Sequence, residues 1–137
     1  MRMEYPVWNY LEENLPIIIA MADLIRQKNY PKPYLICSGS SGAVIAGIIS
    51  TKFTPPLPIF YVRKPDEFGH SHCLDINIFR NKTLIIVDDF VVTGGTIERI
   101  LHTLYKITNS TTVDVLCVSD IDRNHPILGH VCELLVP

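Results

Sequence analysis

The sequence lacks the features that mark several classes of protein. No apolar run approaches the roughly 20 residues that a bilayer-spanning helix needs. The first residues contain no signal-peptide apolar region, because Glu4, Glu12 and Glu13 interrupt them. Blocks of Lys and Arg are absent, and the net charge is -2 with 12 basic and 14 acidic residues. We therefore expect a soluble cytoplasmic protein whose partners include neither nucleic acid nor a membrane.

Metal and nucleotide signatures are also scarce. The segment GHSHC at 69–73 offers three close ligands, but without a second cluster it makes a weak zinc site. Neither GxGxxG nor GxxxxGK[ST] occurs, so dinucleotide and Walker-type sites lack support. The chain has no CxxC pair, and we expect reduced thiols, mostly in the core, at its four widely spaced cysteines: Cys37, Cys73, Cys117 and Cys132.

What the sequence does contain is an alternation of apolar helices and strands. With 137 residues, 47% of them apolar, it fits a single domain, 1–137, with a substantial core. The alternation predicts an α/β fold, a mostly parallel open sheet with helices on both faces. The periodicities predict, in order, helix 6–29 with a second helix starting at Pro16, strand 34–38, loop 38–42, helix 43–50, strand 58–63 and strand 83–89. A helix from Thr96, strand 111–119 and a short strand at 132–136 follow. The apolar residues of the helix from Thr96 share one face: Ile97, Ile100, Leu101, Leu104 and Ile107.

The chemistry concentrates at the carboxyl end of strand 83–89. Ligands of open α/β sheets bind beyond the carboxyl ends of the strands, and Asp88 and Asp89 lie at such an end. Two adjacent acids inside a strand would bury one carboxylate, so we expect both at the strand end. The following glycines and free helix-start amides suit a phosphate, and the hydroxyls of Thr93 and Thr96 add donors, although Thr96 is equally suited to cap the helix. A sugar phosphate fits this combination.

The 13 residues LIIVDDFVVTGGT, Leu84 to Thr96, resemble the phosphoribosyl pyrophosphate (PRPP) binding motif of type I phosphoribosyltransferases. The order of elements over about residues 30–120 is similar as well. The resemblance implies a Rossmann-like fold with a small hood, for which 1–15 and 121–137 are the candidates. It also implies a PRPP-dependent transferase that joins a nucleobase to ribose 5-phosphate and releases pyrophosphate.

Roles for individual residues follow from the same resemblance. Asp88 and Asp89 bind the ribose hydroxyls or the water ligands of Mg²⁺. Arg63 and Lys64, in YVRK, neutralise the pyrophosphate, and the loop 65–74 closes over the site. A non-proline cis peptide is expected near Ser38 to Ser40. The substrate-binding residues are Ser38, Gly39, Ser40, Ser41 and Gly42 for pyrophosphate, and Val92, Thr93, Gly94, Gly95 and Thr96 at the 5′-phosphate turn.

The nucleobase stays open at this point. Relatives that act on 6-oxopurines often carry an Asp where this chain has Val92, and orotate relatives carry a further Lys in the loop after Arg-Lys. The turn VVTGGT slightly favours a purine of adenine or xanthine type. A homodimer is expected, because the hood is small and the N-terminal apolar residues, such as Trp8 and 17–19, suit either an interface or the core.

Two other classes compete with the enzyme. A non-catalytic regulatory module of the same fold would keep the PRPP site and bind nucleotides without turnover. A flavodoxin-like receiver domain would need a Lys at the end of a later strand, whereas strand 111–119 ends in Ser-Asp with no Lys. Pyrophosphate release with PRPP, Mg²⁺ and a panel of bases separates the enzyme from the module.

Overall fold

The computed structural model describes residues 7–63, 82–90, 95–107, 112–118 and 126–130. The elements are α1 (Val7–Lys28), β1 (Pro33–Cys37), α2 (Gly39–Thr51), β2 (Ile59–Tyr61), β3 (Thr83–Phe90), α3 (Gly95–Ile107), β4 (Thr112–Val118) and β5 (Pro126–His130). The strands form one sheet in the order β2-β1-β3-β4-β5. The first four of these are parallel to one another, and β5 runs antiparallel to β4. The predicted mostly parallel α/β fold is therefore confirmed.

Helices cover both faces of the sheet. Successive side chains of a strand point to opposite faces, and β3 shows the division. Ile85 and Val87 pack in the cluster that contains residues of α1 and α2. Leu84 and Ile86 pack with α3, whose core side is formed by Ile97, Ile100, Leu101 and Leu104. The predicted apolar face of α3 is thus the one that covers the sheet.

The N-terminal helix departs from the prediction. We expected a second helix to begin at Pro16, but α1 continues through it. Proline inside a helix removes one backbone hydrogen bond and crowds the carbonyl four residues before it. Glu12, which carries that carbonyl, and Pro16 are both exposed, so water can solvate the freed group. Ile17 and Ile18 belong to the core, whereas Ile19 is 38% exposed.

Two further expectations about local structure were wrong, and a third concerns residues that the structure does not describe. The Gly/Ser segment 38–42 is not a loop, since residues 39–42 are the first turn of α2. Across the described ranges the cis peptide bond is Thr54–Pro55, and none occurs near Ser38 to Ser40. The last described strand is β5, at 126–130, while the predicted strand 132–136 lies outside the described residues. Of the described helices, none is long and apolar enough to cross a membrane.

The parallel strands bring the predicted site residues to one edge of the sheet. β1 ends at Cys37, directly before Ser38, and β3 ends just after Asp88 and Asp89. The amide of Val62 donates to the carbonyl of Cys37 at 2.8 Å, which holds the chain before Arg63 beside the end of β1. Residues 38 and 63 therefore follow β1 and β2, and residues 88 and 89 lie near the end of the neighbouring strand β3, all at the same edge of the sheet.

Candidate functional site

The two acids lie in an irregular part of β3. Val87 pairs with Leu116 and Phe90 with Val118, so β3 uses three residues where β4 uses two. One extra residue of this kind is a β-bulge, which bends a strand and redirects its side chains. The acids are thus within the last three residues of β3, not beyond it. The bulge, rather than the loop after β3, provides the local distortion of the strand at the two acids.

Asp88 is more buried than we expected for a strand-end ligand. It is 8% exposed, while Asp89 is half-buried. Its Oδ1 accepts a hydrogen bond from the amide of Asp89 at 2.9 Å. Burial, followed by the hydrogen bond and negative charge of the Asp89 side chain, raises the pKa of Asp88 to about 7. The carboxyl group of Asp88 therefore holds its proton to a higher pH than an ordinary aspartate does.

Arg99 of α3 places a positive charge near this pair. No pattern in the sequence indicated this role. Its charge acts on Asp88 and opposes the rise in the pKa of that carboxyl. Its Nη2 donates to Oγ of Ser38 at 2.9 Å. Its Nε is buried and has no hydrogen-bond partner among the residues that the structure describes. Arg99 thus connects the end of β3 to the start of α2.

The start of α2 is open in the sense that its N-cap side chain makes no capping bond, and Tyr61 contacts its first amide. Ser38 is the N-cap residue, 5% exposed, yet its side chain makes no capping hydrogen bond. Its hydroxyl accepts from Arg99 instead. The amide of Gly39 donates to the hydroxyl of Tyr61 at 3.1 Å, and Gly39 has a φ of 83°, which favours glycine. Free amides of a helix start bind anions.

Gly42 sets the spacing between α2 and the acid-bearing strand. A Cβ at this position would lie 3.2 Å from the carbonyl oxygen of Val87 and 3.4 Å from Cβ of Cys37. That oxygen belongs to the residue directly before Asp88. The absence of a side chain therefore lets the first turn of α2 approach the site end of β3.

The structure brings only part of the predicted site together. Ser40 is exposed, while Ser41 and Arg63 are half-buried. Gly95 is the exposed first residue of α3, and Thr96 follows it in the helix, so α3 begins one residue earlier than predicted. Within the described ranges, no group of three or more His, Cys, Asp and Glu side chains is arranged to hold a metal. Outside those ranges lie Lys64, Val92, Thr93, Gly94 and the segments 65–74 and 69–73.

Arg99 and Tyr61 gave no recognisable signal in the sequence. Tyr61 lies in the segment YVRK, of which only the Arg-Lys pair was assigned a role. Arg99 sits between the core residues Ile97 and Ile100, where a polar residue on the exposed side of a helix is ordinary. Its partner Ser38 is 61 residues away, so only the packed fold makes the pair visible.

The comparison with protein families identifies the class. The model of the phosphoribosyl transferase domain matches residues 7–127. The chain therefore belongs to the phosphoribosyl transferase family, as the resemblance of the 84–96 motif predicted. The predicted enzyme class, a phosphoribosyltransferase, is confirmed with it.

Solved structures share the fold at low sequence identity. A purine phosphoribosyltransferase from Pyrococcus horikoshii superimposes with a TM-score of 0.59 and 22% identity, over 81% of this chain and 73% of its own. A hypoxanthine-guanine phosphoribosyltransferase from Bacillus anthracis gives 0.58 and 16%, over 81% and 72%. A hypoxanthine phosphoribosyltransferase from Staphylococcus aureus gives 0.55 and 17%, over 85% and 70%. Curated proteins yield no match by sequence.

Proposed function

We propose that this chain transfers ribose 5-phosphate from PRPP to a nucleobase, with a purine as the favoured acceptor. The observation that carries the proposal is the meeting of the Asp88–Asp89 pair with the open start of α2 at one sheet edge. Carboxylates accept hydrogen bonds from ribose hydroxyls, and helix-start amides bind phosphate groups. Together they match the two groups on either side of the PRPP bond that breaks in the reaction, the ribose and the pyrophosphate.

In the proposed reaction, a nucleobase nitrogen forms a bond to C1 of the ribose as the bond from C1 to the pyrophosphate oxygen breaks. The nitrogen loses its proton and the pyrophosphate leaves with the electron pair. Ser38 to Gly42 and Arg63 would bind the leaving group, with Lys64 beside them. Val92 to Thr96 would hold the 5′-phosphate. The protein contributes positioning and charge stabilisation rather than covalent chemistry.

The acid pair fits Mg²⁺, the cofactor that the motif resemblance implies. Mg²⁺ is commonly held by one or two carboxylates together with waters and substrate phosphates. Asp88 and Asp89 supply two adjacent carboxyl groups whose mutual repulsion a cation would reduce. Bound there, the ion would neutralise charge on the pyrophosphate. Asp88 and Asp89 would then orient it directly or through its water ligands.

Support for a purine comes from two directions. The solved structures of similar fold include enzymes named for purine, hypoxanthine and guanine. The turn before α3 reads VVTGGT, and Val92 replaces the acid that many 6-oxopurine relatives carry. Adenine, which carries no 6-oxo group, is the first candidate for assay, and xanthine, the other purine that the turn favours, is the second.

The test combines binding with turnover. We expect pyrophosphate release from PRPP and Mg²⁺ with at least one purine base, and loss of PRPP binding in the double variant D88N/D89N with the fold retained. Asp23→Asn, which changes an exposed acid of α1 paired with Arg26, is the matched control and should bind PRPP normally. Normal PRPP binding by D88N/D89N would show that the site is misplaced. Binding without turnover on any base would favour the regulatory module.

A homodimer remains part of the proposal. Leu15 and Ile19, one turn apart on α1, are 39% and 38% exposed. Two large apolar side chains on one helix face suit a subunit contact. Light scattering of the wild type and of the Leu15→Lys/Ile19→Lys variant tests this: a dimer that becomes monomeric supports it, and a monomeric wild type contradicts it.

A further inference from the structure

A second concave site lies at the opposite edge of the sheet. A cavity of about 700 Å³ opens between the carboxyl ends of α1 and α2 and the amino ends of β1 and β3. That volume falls within the range of small-molecule sites. Pro33 lines the cavity, whereas Ser38 follows the other end of β1. At about 3.3 Å per residue, the four steps from Pro33 to Cys37 separate the two sites by about 13 Å.

The charge of the cavity is opposite in sign to that of the chain. Among the described residues, its lining includes Arg26, Lys32 and Lys82 but no Asp or Glu, although the whole chain has more acids than bases. Arg26 pairs with Asp23, which lies 2.8 Å from it. Lys32 and Lys82 pair with no carboxylate in the same part of the chain. Their two ammonium groups favour an anion in the cavity.

Aromatic rings form the other part of the lining. Nζ of Lys82 lies 5.1 Å from the ring centre of Tyr34, and the guanidinium of Arg26 lies 4.8 Å from that of Phe53. These contacts hold the cations against the walls of the cavity. Tyr30 adds a third ring, fixed by a hydrogen bond from its hydroxyl to Asp114. Rings and cations in one cavity suit a ligand that carries both a ring and a negative group.

The backbone around the cavity is held in place. The hydroxyl of Thr83 donates to the carbonyl of Pro31 at 3.0 Å, and the amide of Thr83 donates to the carbonyl of Lys32 at 3.3 Å. On the other wall, the hydroxyl of Ser50 donates to the carbonyl of Leu57 at 2.6 Å. Lys32 has a φ of 47°, a conformation that non-glycine residues adopt at a cost and that is often found at functional sites. The site is therefore built before any ligand arrives.

We propose that this cavity binds an anionic aromatic ligand of mononucleotide size, at a site separate from the acid pair. Lys32 and Lys82 would bind the phosphate, and the rings of Tyr30 and Tyr34 would contact the base. Asn29, at the rim, offers an amide for hydrogen bonds to the edge of the base. A nucleoside phosphate meets all three requirements, whereas inorganic phosphate meets only the first.

The experiment measures binding of AMP and GMP by titration calorimetry in the presence of saturating PRPP and Mg²⁺, which block the proposed active site. We expect one nucleotide to bind per chain under these conditions, more tightly than guanosine or inorganic phosphate. The double variant K32A/K82A should weaken this binding by about tenfold to a hundredfold, because two charge-assisted contacts are lost. The variant K28A/K52A removes two lysines outside the lining and should bind as the wild type does.

The outcomes separate this site from the proposed active site. Nucleotide binding that PRPP abolishes, or that K32A/K82A leaves unchanged, would overturn the cavity proposal without affecting the proposed transferase activity. Equal affinity for phosphate and nucleotide would overturn the aromatic part of the proposal. A chain that fails to bind PRPP but still binds nucleotide in a manner sensitive to K32A/K82A would support the cavity and contradict the active site. Thermal unfolding of each variant verifies that it is folded.

Discussion

Nη2 of Arg99 lies 2.9 Å from Oγ of Ser38, and this bond joins two segments of the proposed site that are 61 residues apart in the chain. Because the Ser38 hydroxyl is engaged by Arg99, it does not cap α2. The amides of the first turn therefore keep room for an anion. Arg99 acts on the site by positioning Ser38 and by placing a positive charge near Asp88.

Replacement of Arg99 tests this positioning role. Arg99→Met should weaken PRPP binding by about tenfold, and Ser38→Ala by less, since it keeps the charge of Arg99 near Asp88. The double variant should be no worse than Arg99→Met alone, because the two changes remove the same contact. Arg99→Lys should restore part of the affinity. His102→Ala, an exposed position on α3, is the control, and additive losses in the double variant would refute the coupling.

The buried carboxyl of Asp88 predicts a pH-dependent stability in metal-free buffer. Its pKa in the folded chain is about 7, above the ordinary value of 3.8, so the folded state binds the proton more tightly than the unfolded state. The stability that this proton provides is present at low pH and is lost as the pH rises from about 4 to about 7. Asp88→Asn should therefore unfold at nearly the wild-type temperature at about pH 4, and be more stable than the wild type by about 1–3 kcal/mol at pH 8.

Denaturation over this pH range, with a chelator present, measures the effect. Asp23→Asn, an exposed acid, should follow the wild-type pH dependence. Added Mg²⁺ should reduce the difference between the wild type and Asp88→Asn at pH 8, because a cation at the acid pair replaces the proton. A constant difference between the two proteins across the range would count against the raised pKa.

Two glycines of α2 form a matched pair for mutation. A Cβ at Gly47 would meet nothing within 4 Å, so Gly47→Ala should stabilise the chain by about 0.5–1 kcal/mol through helix propensity. Gly42→Ala gains the same propensity but must displace the carbonyl of Val87, 3.2 Å away. We expect Gly42→Ala to be less stable than Gly47→Ala by about 1 kcal/mol or more, and to bind PRPP more weakly. Equal effects in chemical denaturation and in PRPP titration would contradict the close-packing argument.

Replacement of Tyr61 is expected to strengthen PRPP binding rather than weaken it. Its hydroxyl accepts from the amide of Gly39, a donor that the proposed pyrophosphate site would use. Tyr61→Phe removes this competitor, so PRPP should bind about threefold more tightly, within the net value of one neutral hydrogen bond. Tyr34→Phe, at the other end of the sheet, is the control. Weaker binding by Tyr61→Phe would mean that the phenol contacts the ligand instead of yielding to it.

Local patterns predicted the main elements well. Four apolar residues before Asp88 indicated β3, and the spacing of Ile97, Ile100 and Leu104 indicated the buried face of α3. These patterns are visible in the sequence because each element buries its own apolar side chains against the core. The polar segment at residues 39–42 was misjudged because glycine and serine have low helix propensity, whereas packing of Gly42 against β3 supports a helix there.

The site was predictable where one short segment carries it and hidden where distant segments meet. Adjacent acids before a Thr/Gly turn are visible within 13 residues. The burial of Asp88 depends on strands and a helix that converge from across the chain, and so does the contact of Arg99 with Ser38. Propensity and periodicity describe single elements, so they carry no information about which polar side chains will meet between them.

The bulge in β3 has a consequence for how sequences of this kind should be aligned. The extra residue between Val87 and Phe90 shifts the pairing of β3 with β4 by one position from that point on. A one-residue deletion there would remove an acid and restore residue-by-residue pairing between the two strands. A sequence that lacks the bulge should therefore be aligned with a one-residue gap at Asp88 or Asp89, because an ungapped alignment would displace every later residue by one position.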